Sequence, residues 1–250
     1  MSRTRLVFLG TGTGEPSAER SASALAVVTV ERSFLIDAGD GVAGNWVRYI
    51  GDTGGLEALF LTHLHADHVS GLPYLIQGMH LAKRTEPLAL YSPSGAYGGI
   101  ESFLSTVRLA PEKLGFDIEP RNLDDGEARI GEVAVRPFPN THLPPDDSGR
   151  PRSYSLLLTT GGSRAVYSSD LGRLGDLDPM FESPVDLLIV EATHFPSGEI
   201  FEYLGGRPPK KLMFTHVPDD LDTGRLVAAG QKIGLAPVEI ARDGLEVDWA

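Results

Sequence analysis

The sequence predicts an α/β fold in which two β-sheets face each other and helices pack outside them. Three observations lead there. Short β-branched or Leu-rich runs recur along all 250 residues, helical stretches fall between them, and 29 glycines with 18 prolines supply the turns. Strands dominate, and an apolar sheet face must be buried against another layer, so two sheets with helices outside is the natural packing. No fixed-period repeat and no low-complexity segment interrupts the pattern. The one long irregular stretch, 143–152 (LPPDDSGRPR), reads as the most mobile segment and is too short for a linker, so residues 1–250 are expected to form a single domain.

In chain order, TRLVFL (4–9) opens as a strand and stops at the Gly-rich GTGTGEP, a tight turn. That turn lacks the Lys-Ser/Thr ending of a phosphate loop. SALAVVTV (23–30) and SFLID (33–37) follow as strands, then a helix over 41–50. EALFL (57–61) is a strand leading into a helix over 68–83. PLALY (87–91) is the next strand and 95–106 the next helix. Strands are expected over 129–136, 153–159, 164–168, 186–191 (DLLIVE) and 210–215 (KKLMFT). A last helix spans 219–233, where Asp219, Asp220 and Asp222 suit the positive end of a helix dipole. A strand over 237–241 closes the list.

Composition narrows the function. There is no cysteine, which removes disulfides, thiolate nucleophiles and Cys-ligated zinc. Any metal must be held by nitrogen and oxygen. No window reaches the roughly 18 apolar residues of a membrane span, and the five-residue apolar run near the N-terminus is too short for a secretory signal. A cytoplasmic protein is expected. With 22 basic against 34 acidic residues the net charge is −12. Such a surface repels polyanions, whereas nucleic-acid binding normally needs a basic patch.

The seven histidines are unevenly placed. Three of them lie in His63-x-His65-x-Asp67-His68, directly after the apolar run EALFLT. In extended chain, residues 63 and 65 point the same way. Where the chain turns into the helix, Asp67 and His68 can aim at a second nearby point, so one loop can feed two adjacent metal ions. Further donors are expected where other strands end: His142, Asp170 and His216. Asp170 is the candidate bridge, because a carboxylate has two oxygens to share. Asp37 and Asp40, in the turn DAGDG, are placed to orient a donor histidine from behind. His80, twelve residues past His68, is expected to face solvent.

These residues, together with FLGTGTGEPSAERSASALAV (8–27), LIDAGDG (35–41), LTHLHADHVSGLPYL (61–75), EPLALYSP (86–93) and LLIVEAT (187–193), resemble the metallo-β-lactamase superfamily, and within it the ribonuclease Z-like branch. The resemblance implies the αββα sandwich of two mixed β-sheets flanked by helices. It implies His63, His65 and His142 on one metal, Asp67, His68 and His216 on the other, and Asp170 bridging. Two departures stand out. The RNA-gripping arm of ribonuclease Z belongs between the third histidine and the bridging aspartate, and the 28 positions here leave no room for one. The branch's His-Ser-Thr, whose histidine acts as acid, is missing; Glu191-Ala192-Thr193 is followed at once by His194, which could stand in for it.

The chemistry this implies is metal-dependent hydrolysis of a phosphodiester on a small molecule or nucleotide. Two divalent ions activate a bridging water and stabilise the displacement. Asp67 would orient the nucleophile, and His194 paired with Glu191 would protonate the leaving oxygen. Zinc is the first expectation, with manganese and iron as alternatives because Asp ligands suit harder ions. Rival readings are a lactone or thioester hydrolase, an iron redox enzyme, a tRNA 3′-processing endoribonuclease and a non-catalytic regulator. No membrane or long nucleic acid is expected as partner. A homodimer is an expectation by analogy only.

Overall fold

Alternation along the strands sorts their side chains into layers. In β1 (Arg5–Gly10), Leu6 and Phe8 point into the space between two sheets, while Val7 and Leu9 point to the helices outside. Both faces are buried, so the strands read as near-continuous apolar runs rather than as polar/apolar alternation. The computed structural model describes residues 4–30, 32–232, 234 and 237–249.

The first sheet runs β14-β1-β2-β3-β4-β5-β6 and the second β13-β12-β11-β10-β9-β8-β7. After β1 come β2 (Ala24–Val28), β3 (Ser33–Ile36), α1 (Val42–Tyr49), β4 (Leu56–Phe60), α2 (Ala66–Val69), α3 (Leu72–Leu81), β5 (Leu88–Ser92), α4 (Tyr97–Thr106) and β6 (Ile118–Asn122). The second half holds β7 (Ala128–Ile130), β8 (Val133–Pro139), β9 (Tyr154–Thr160), β10 (Ser163–Tyr167), β11 (Leu187–Glu191), α5 (Ser197–Leu204), β12 (Lys211–Thr215), α6 (Thr223–Lys232) and β13 (Val238–Ile240). β14 (Glu246–Asp248) then returns to pair with β1.

Both sheets are mixed in the same way. β1 to β3 and β7 to β10 pair antiparallel, whereas β3 to β6 and β10 to β13 pair parallel. Parallel neighbours need long crossovers. α1, α3 and α4 provide them for the first sheet; a 3₁₀ segment (Leu174–Phe181), α5 and α6 do so for the second. Between the sheets lies one apolar layer, with Phe34, Phe60 and Ile36 facing Tyr154, Leu156 and Ile189. Two further layers, one under each set of helices, complete the αββα sandwich.

Several boundaries differ from expectation. The predicted helix 68–83 is two pieces, and its first piece starts earlier, at Ala66. Gly71 donates its amide to Ala38 O (2.9 Å) instead of continuing the helix, and Pro73 starts the next one. A Cβ on Gly71 would stand 2.1 Å from Gly39 O, and one on Gly39 would stand 2.2 Å from Asp67 O. Only glycines let the turn DAGDG press this closely onto the histidine loop. The predicted strand 129–136 is a hairpin, β7 and β8, turning at Gly131 and Glu132. The last helix begins at Thr223 rather than 219, because Asp222 accepts a hydrogen bond from the Arg225 amide (2.9 Å) and so starts it there. Its expected end, residue 233, lies outside the described residues. β6, β14 and α5 were not predicted. β6 (IEPRN) is an edge strand containing proline, with little apolar signal.

Candidate metal centre

The histidine loop is tied to both sheets before any side chain acts. Leu61 donates to Tyr91 O (2.8 Å), extending the register of β4 against β5, and the Tyr154 amide of β9 donates to Thr62 O (3.1 Å). His65 is extended (φ −67°, ψ 153°) and α2 begins at the next residue. His63 and His68 are fully buried. The other donors arrive singly: His142 follows β8, Asp170 follows β10 and His216 follows β12. Three non-glycine residues here hold left-handed backbone, Asp37 (φ 59°), Ser169 (φ 51°) and His216 (φ 53°). Such conformations cost about 1–3 kcal/mol each and persist where the surroundings over-determine them.

All seven predicted donors come together, in two sets that share Asp170. Asp170 Oδ2 lies 3.7 Å from His63 Nε2 and 3.6 Å from His142 Nε2. Its Oδ1 lies 3.4 Å from His68 Nε2 and 3.7 Å from His216 Nε2. His65 Nδ1 is 3.1 Å from His142 Nε2; Asp67 Oδ2 is 3.1 Å from His216 Nε2 and 3.6 Å from His68 Nε2. Within each set the donor atoms all lie within 4.8 Å of one another. One carboxylate thus offers one oxygen to each set.

The hydrogen bonds assign the tautomers. His68 Nδ1 is 2.8 Å from Asp37 Oδ2, and a carboxylate only accepts, so the proton sits on Nδ1. The Thr62 hydroxyl lies 2.9 and 3.0 Å from the two Asp37 oxygens and donates there, so it accepts from His63 Nδ1 at 3.2 Å. Thr193 donates to the His216 carbonyl (2.7 Å) and accepts from His216 Nδ1 (2.9 Å). Each ring therefore presents a bare Nε2. His63 Nε2, His68 Nε2 and Asp170 Oδ1 are buried without any hydrogen-bond partner. Leaving one buried polar group unsatisfied costs about 1–3 kcal/mol, and three converging on one spot are accounted for by a bound cation. The donor set fits divalent metal.

Electrostatics agree. Burial, then the charge of His68, holds His63 well below its ordinary pKa, which keeps it neutral. Burial pushes His68 down, but Asp37 and Asp170 more than offset that and raise it, marking a spot that favours positive charge. Burial pushes Asp170 up; His68, His216 and His63 outweigh it, and the carboxyl lies well below the usual range. Asp67 is lowered in the same way, against burial, by the hydrogen bond to His216 and the charge of His68.

Glu191 and His194 sit beside this centre. His194 Nδ1 is 2.7 Å from Glu191 Oε2, and that bond outweighs partial burial to raise the His194 pKa. The ring centroid is 4.9 Å from that of His142. Glu191 also accepts from the Leu171, Thr193 and His194 amides. Its oxygens are thus committed to holding the loops of Asp170 and His194. Asp37 lies behind His68, whereas Asp40 is exposed. His80 is half-buried at the end of α3, with Nδ1 buried, rather than facing solvent. Sequence reasoning missed Thr62, Ser169, Asn140 and Thr193. Asn140 donates to Asp170 O (3.0 Å) and accepts from the His142 amide (3.1 Å); the Ser169 and Thr62 hydroxyls are 2.7 Å apart. For Thr62, Ser169 and Asn140 the one signal is a small polar residue within two positions of a donor; Thr193 stands 23 positions from His216 and carries none. Loop 143–152 is cross-linked within itself: Asp146 accepts from the Ser148 and Arg150 amides, the Ser148 hydroxyl and the Arg150 side chain.

Above the centre lies a cavity of about 360 Å³, walled in part by Glu15, Thr193, His194 and Asp220. Thr13 and Gly14 of the Gly-rich turn also line it, so that turn borders the cavity. Among the described residues no helix is long and apolar enough to cross a membrane.

The family model of the beta-lactamase superfamily domain matches residues 32–217. A ribonuclease Z of Natronomonas pharaonis is 32% identical over 239 residues, 92% of this chain and 72% of that protein. The metallo-beta-lactamase fold protein YhfI from Bacillus subtilis superposes with a TM-score of 0.82 at 20% identity, covering 99% of this chain and 100% of that one. A ribonuclease Z of Myxococcus xanthus is 27% identical over 304 aligned residues, 99% of this chain and 98% of the relative. That alignment exceeds the 250 residues here, so the relative carries segments with no counterpart in this chain. Kinship reaches well beyond the histidine loop, and the chain belongs to the metallo-β-lactamase superfamily, within its ribonuclease Z-like branch.

Proposed function

We propose that this chain is a cytoplasmic, dinuclear metal-dependent hydrolase of small phosphodiesters, with residues 1–250 forming one catalytic domain. The observation that carries the reading is Asp170, which turns one oxygen to each of two donor sets while three buried donor atoms stand unpaired. His63, His65 and His142 would hold one ion, Asp67, His68 and His216 the other, and Asp170 both. Zinc suits the five imidazoles best, with manganese or iron as alternatives.

Bound divalent ions supply a water activated near neutral pH and charge stabilisation for displacement at phosphorus. The protein supplies the rest. Asp67 reaches the cavity and accepts a proton from the attacking water. His194, held by Glu191, carries a proton on the ring nitrogen remote from the carboxylate and delivers it to the leaving oxygen. Asp37 and Thr62 keep His68 and His63 in the tautomer that frees Nε2.

The ribonuclease Z relatives favour a second reading, cleavage of precursor tRNA. Against it stand the 28 positions between His142 and Asp170, filled by β9, β10 and one loop, and the net charge of −12. Without a cationic arm, long nucleic acid lacks the phosphate contacts that give it affinity. The test is metal analysis, followed by kcat/KM at near-physiological salt for bis(p-nitrophenyl) phosphate, a cyclic nucleotide, a chromogenic lactone and precursor tRNA. Efficient cleavage of tRNA 3′ ends would replace the small-diester reading, and lactone turnover alone would change the bond.

A further inference from the structure

A second cavity, of about 390 Å³, adjoins the first and shares His65 with it. That volume lies within the range of small-ligand sites. Its charge is opposite in character. The cavity over the donors has Glu15, Asp67, Asp170 and Asp220 in its wall and no lysine or arginine. The neighbour is lined by Arg150 and Arg152, with Asp146 as its one acid.

The two arginines are held in place. Arg150 Nε and Nη2 lie 2.9 and 2.8 Å from Asp146 Oδ2, so much of that charge is answered within the loop. Arg152 donates only Nε, to Pro144 O (2.9 Å). Both of its terminal nitrogens are without a polar partner among the described residues. Gly95 (φ 81°) lies directly under Arg150: a Cβ there would be 3.2 Å from Arg150 Nη2. The loop after β8 therefore closes against the loop before α4 and forms one wall of the cavity. Leu64, Pro93 and Leu143 supply the apolar part of the lining.

From this we infer that the cavity is a subsite for a second phosphate, carried on the nucleoside part of the substrate beyond the scissile diester. Arg152 makes the main contact and Arg150 the lesser one. Guanidinium groups match phosphate oxygens in shape and charge, and the apolar wall accommodates the body that carries the anion. The inference rests on the diesterase reading above and narrows its substrate class to phosphodiesters with an additional phosphate.

The test compares p-nitrophenyl thymidine 5′-phosphate with the same ester carrying a 3′-phosphate, so that leaving group and scissile bond are constant. A charge-assisted hydrogen bond contributes about 1.5–3 kcal/mol, which converts to a rise in kcat/KM of roughly 10- to 100-fold for the phosphorylated ester. Arg152→Ala should bring that ratio close to one, and Arg152→Lys should keep part of it. Arg129→Ala, on the edge strand β7, controls for net charge. A ratio near one in the wild type would overturn the subsite and leave the diesterase reading standing. If neither ester is turned over, the diesterase reading fails, and calorimetry on metal-loaded protein judges the subsite alone. Tighter binding of thymidine 3′,5′-bisphosphate than of thymidine 5′-monophosphate, lost in Arg152→Ala, supports it. Equal affinities rule it out.

Discussion

The two halves of the molecule solve the same problem differently. Each builds a mixed sheet with antiparallel strands first and parallel ones after, β14 from the C-terminal end completing the first, yet the N-terminal half delivers four donors from six consecutive residues behind one strand. The C-terminal half delivers three, each at the end of a separate strand: β8, β10 and β12. Support differs in the same sense. In the first half a single buried carboxylate, Asp37, serves His68 directly and His63 through Thr62. In the second half support is divided among several residues: Asn140 for His142 and Asp170, Glu191 for the loop of Asp170, Thr193 for His216. Shared support should make failures in the first half collective, whereas those in the second should stay local.

The largest effect should come from the one residue that serves both donor sets. Asp170→Ala removes an oxygen from each, so metal content should fall from about two ions per chain toward none, and turnover with it. Elemental analysis beside activity checks this; two retained ions would show that the sets are independent of Asp170. Asp67→Ala should abolish turnover while losing only the second ion, and a variant keeping a tenth of the wild-type rate would mean Asp67 does not position the nucleophile.

His194→Ala comes next. It should slow esters of poor leaving groups, such as a sugar alkoxide, by about 10²–10⁴-fold, and nitrophenyl esters far less, since nitrophenolate leaves without a proton. Equal losses on both would remove His194 from proton transfer.

The comparison between the halves is sharpened by Asp37→Ala against Thr193→Val. Residues that orient metal-binding histidines from behind contribute about 10- to 100-fold to metal affinity or activity. Asp37→Ala should reach the upper end and weaken both ions, because two histidines lose their tautomer control. Thr193→Val should weaken only the ion held with His216. Stepwise chelator titration followed by metal release reads the two apart; identical release profiles would contradict collective support.

The smallest effect should be Asn140→Ala, which leaves buried groups near Asp170 and His142 without one partner each. About 1–3 kcal/mol of stability should be lost, read as a lower denaturation midpoint in the apo protein. A loss of metal affinity as large as that of Asp37→Ala would erase the distinction between the halves.

The amino-acid sequence by itself determined the fold class, the strand-end logic and the seven residues that the structure brings together as candidate donors. It could do so because these signals are local. An apolar run marks a strand whatever packs on it, and period-2 alternation followed by a helix sets the two aims of His63, His65, Asp67 and His68 within six residues. Sequence also showed that His194 follows Glu191 closely enough to pair with it. It did not show that the helix after the cluster breaks at Gly71, because the cause lies at Gly39, 32 positions earlier, whose carbonyl leaves no room for a side chain. Nor did it show how Asp170 divides its oxygens, since those contacts span from 28 to 107 positions of chain. The same holds for His216 meeting Asp67 across 149 positions and for Thr62 meeting Ser169 across 107. Small polar residues such as Thr62, Asn140 and Thr193 carry no distinctive sequence signal, because a hydroxyl or amide acquires its role only from what packs against it. The arginine-lined cavity belongs to the same class: it exists because one loop after β8 closes on another before α4, a juxtaposition that only the tertiary fold decides.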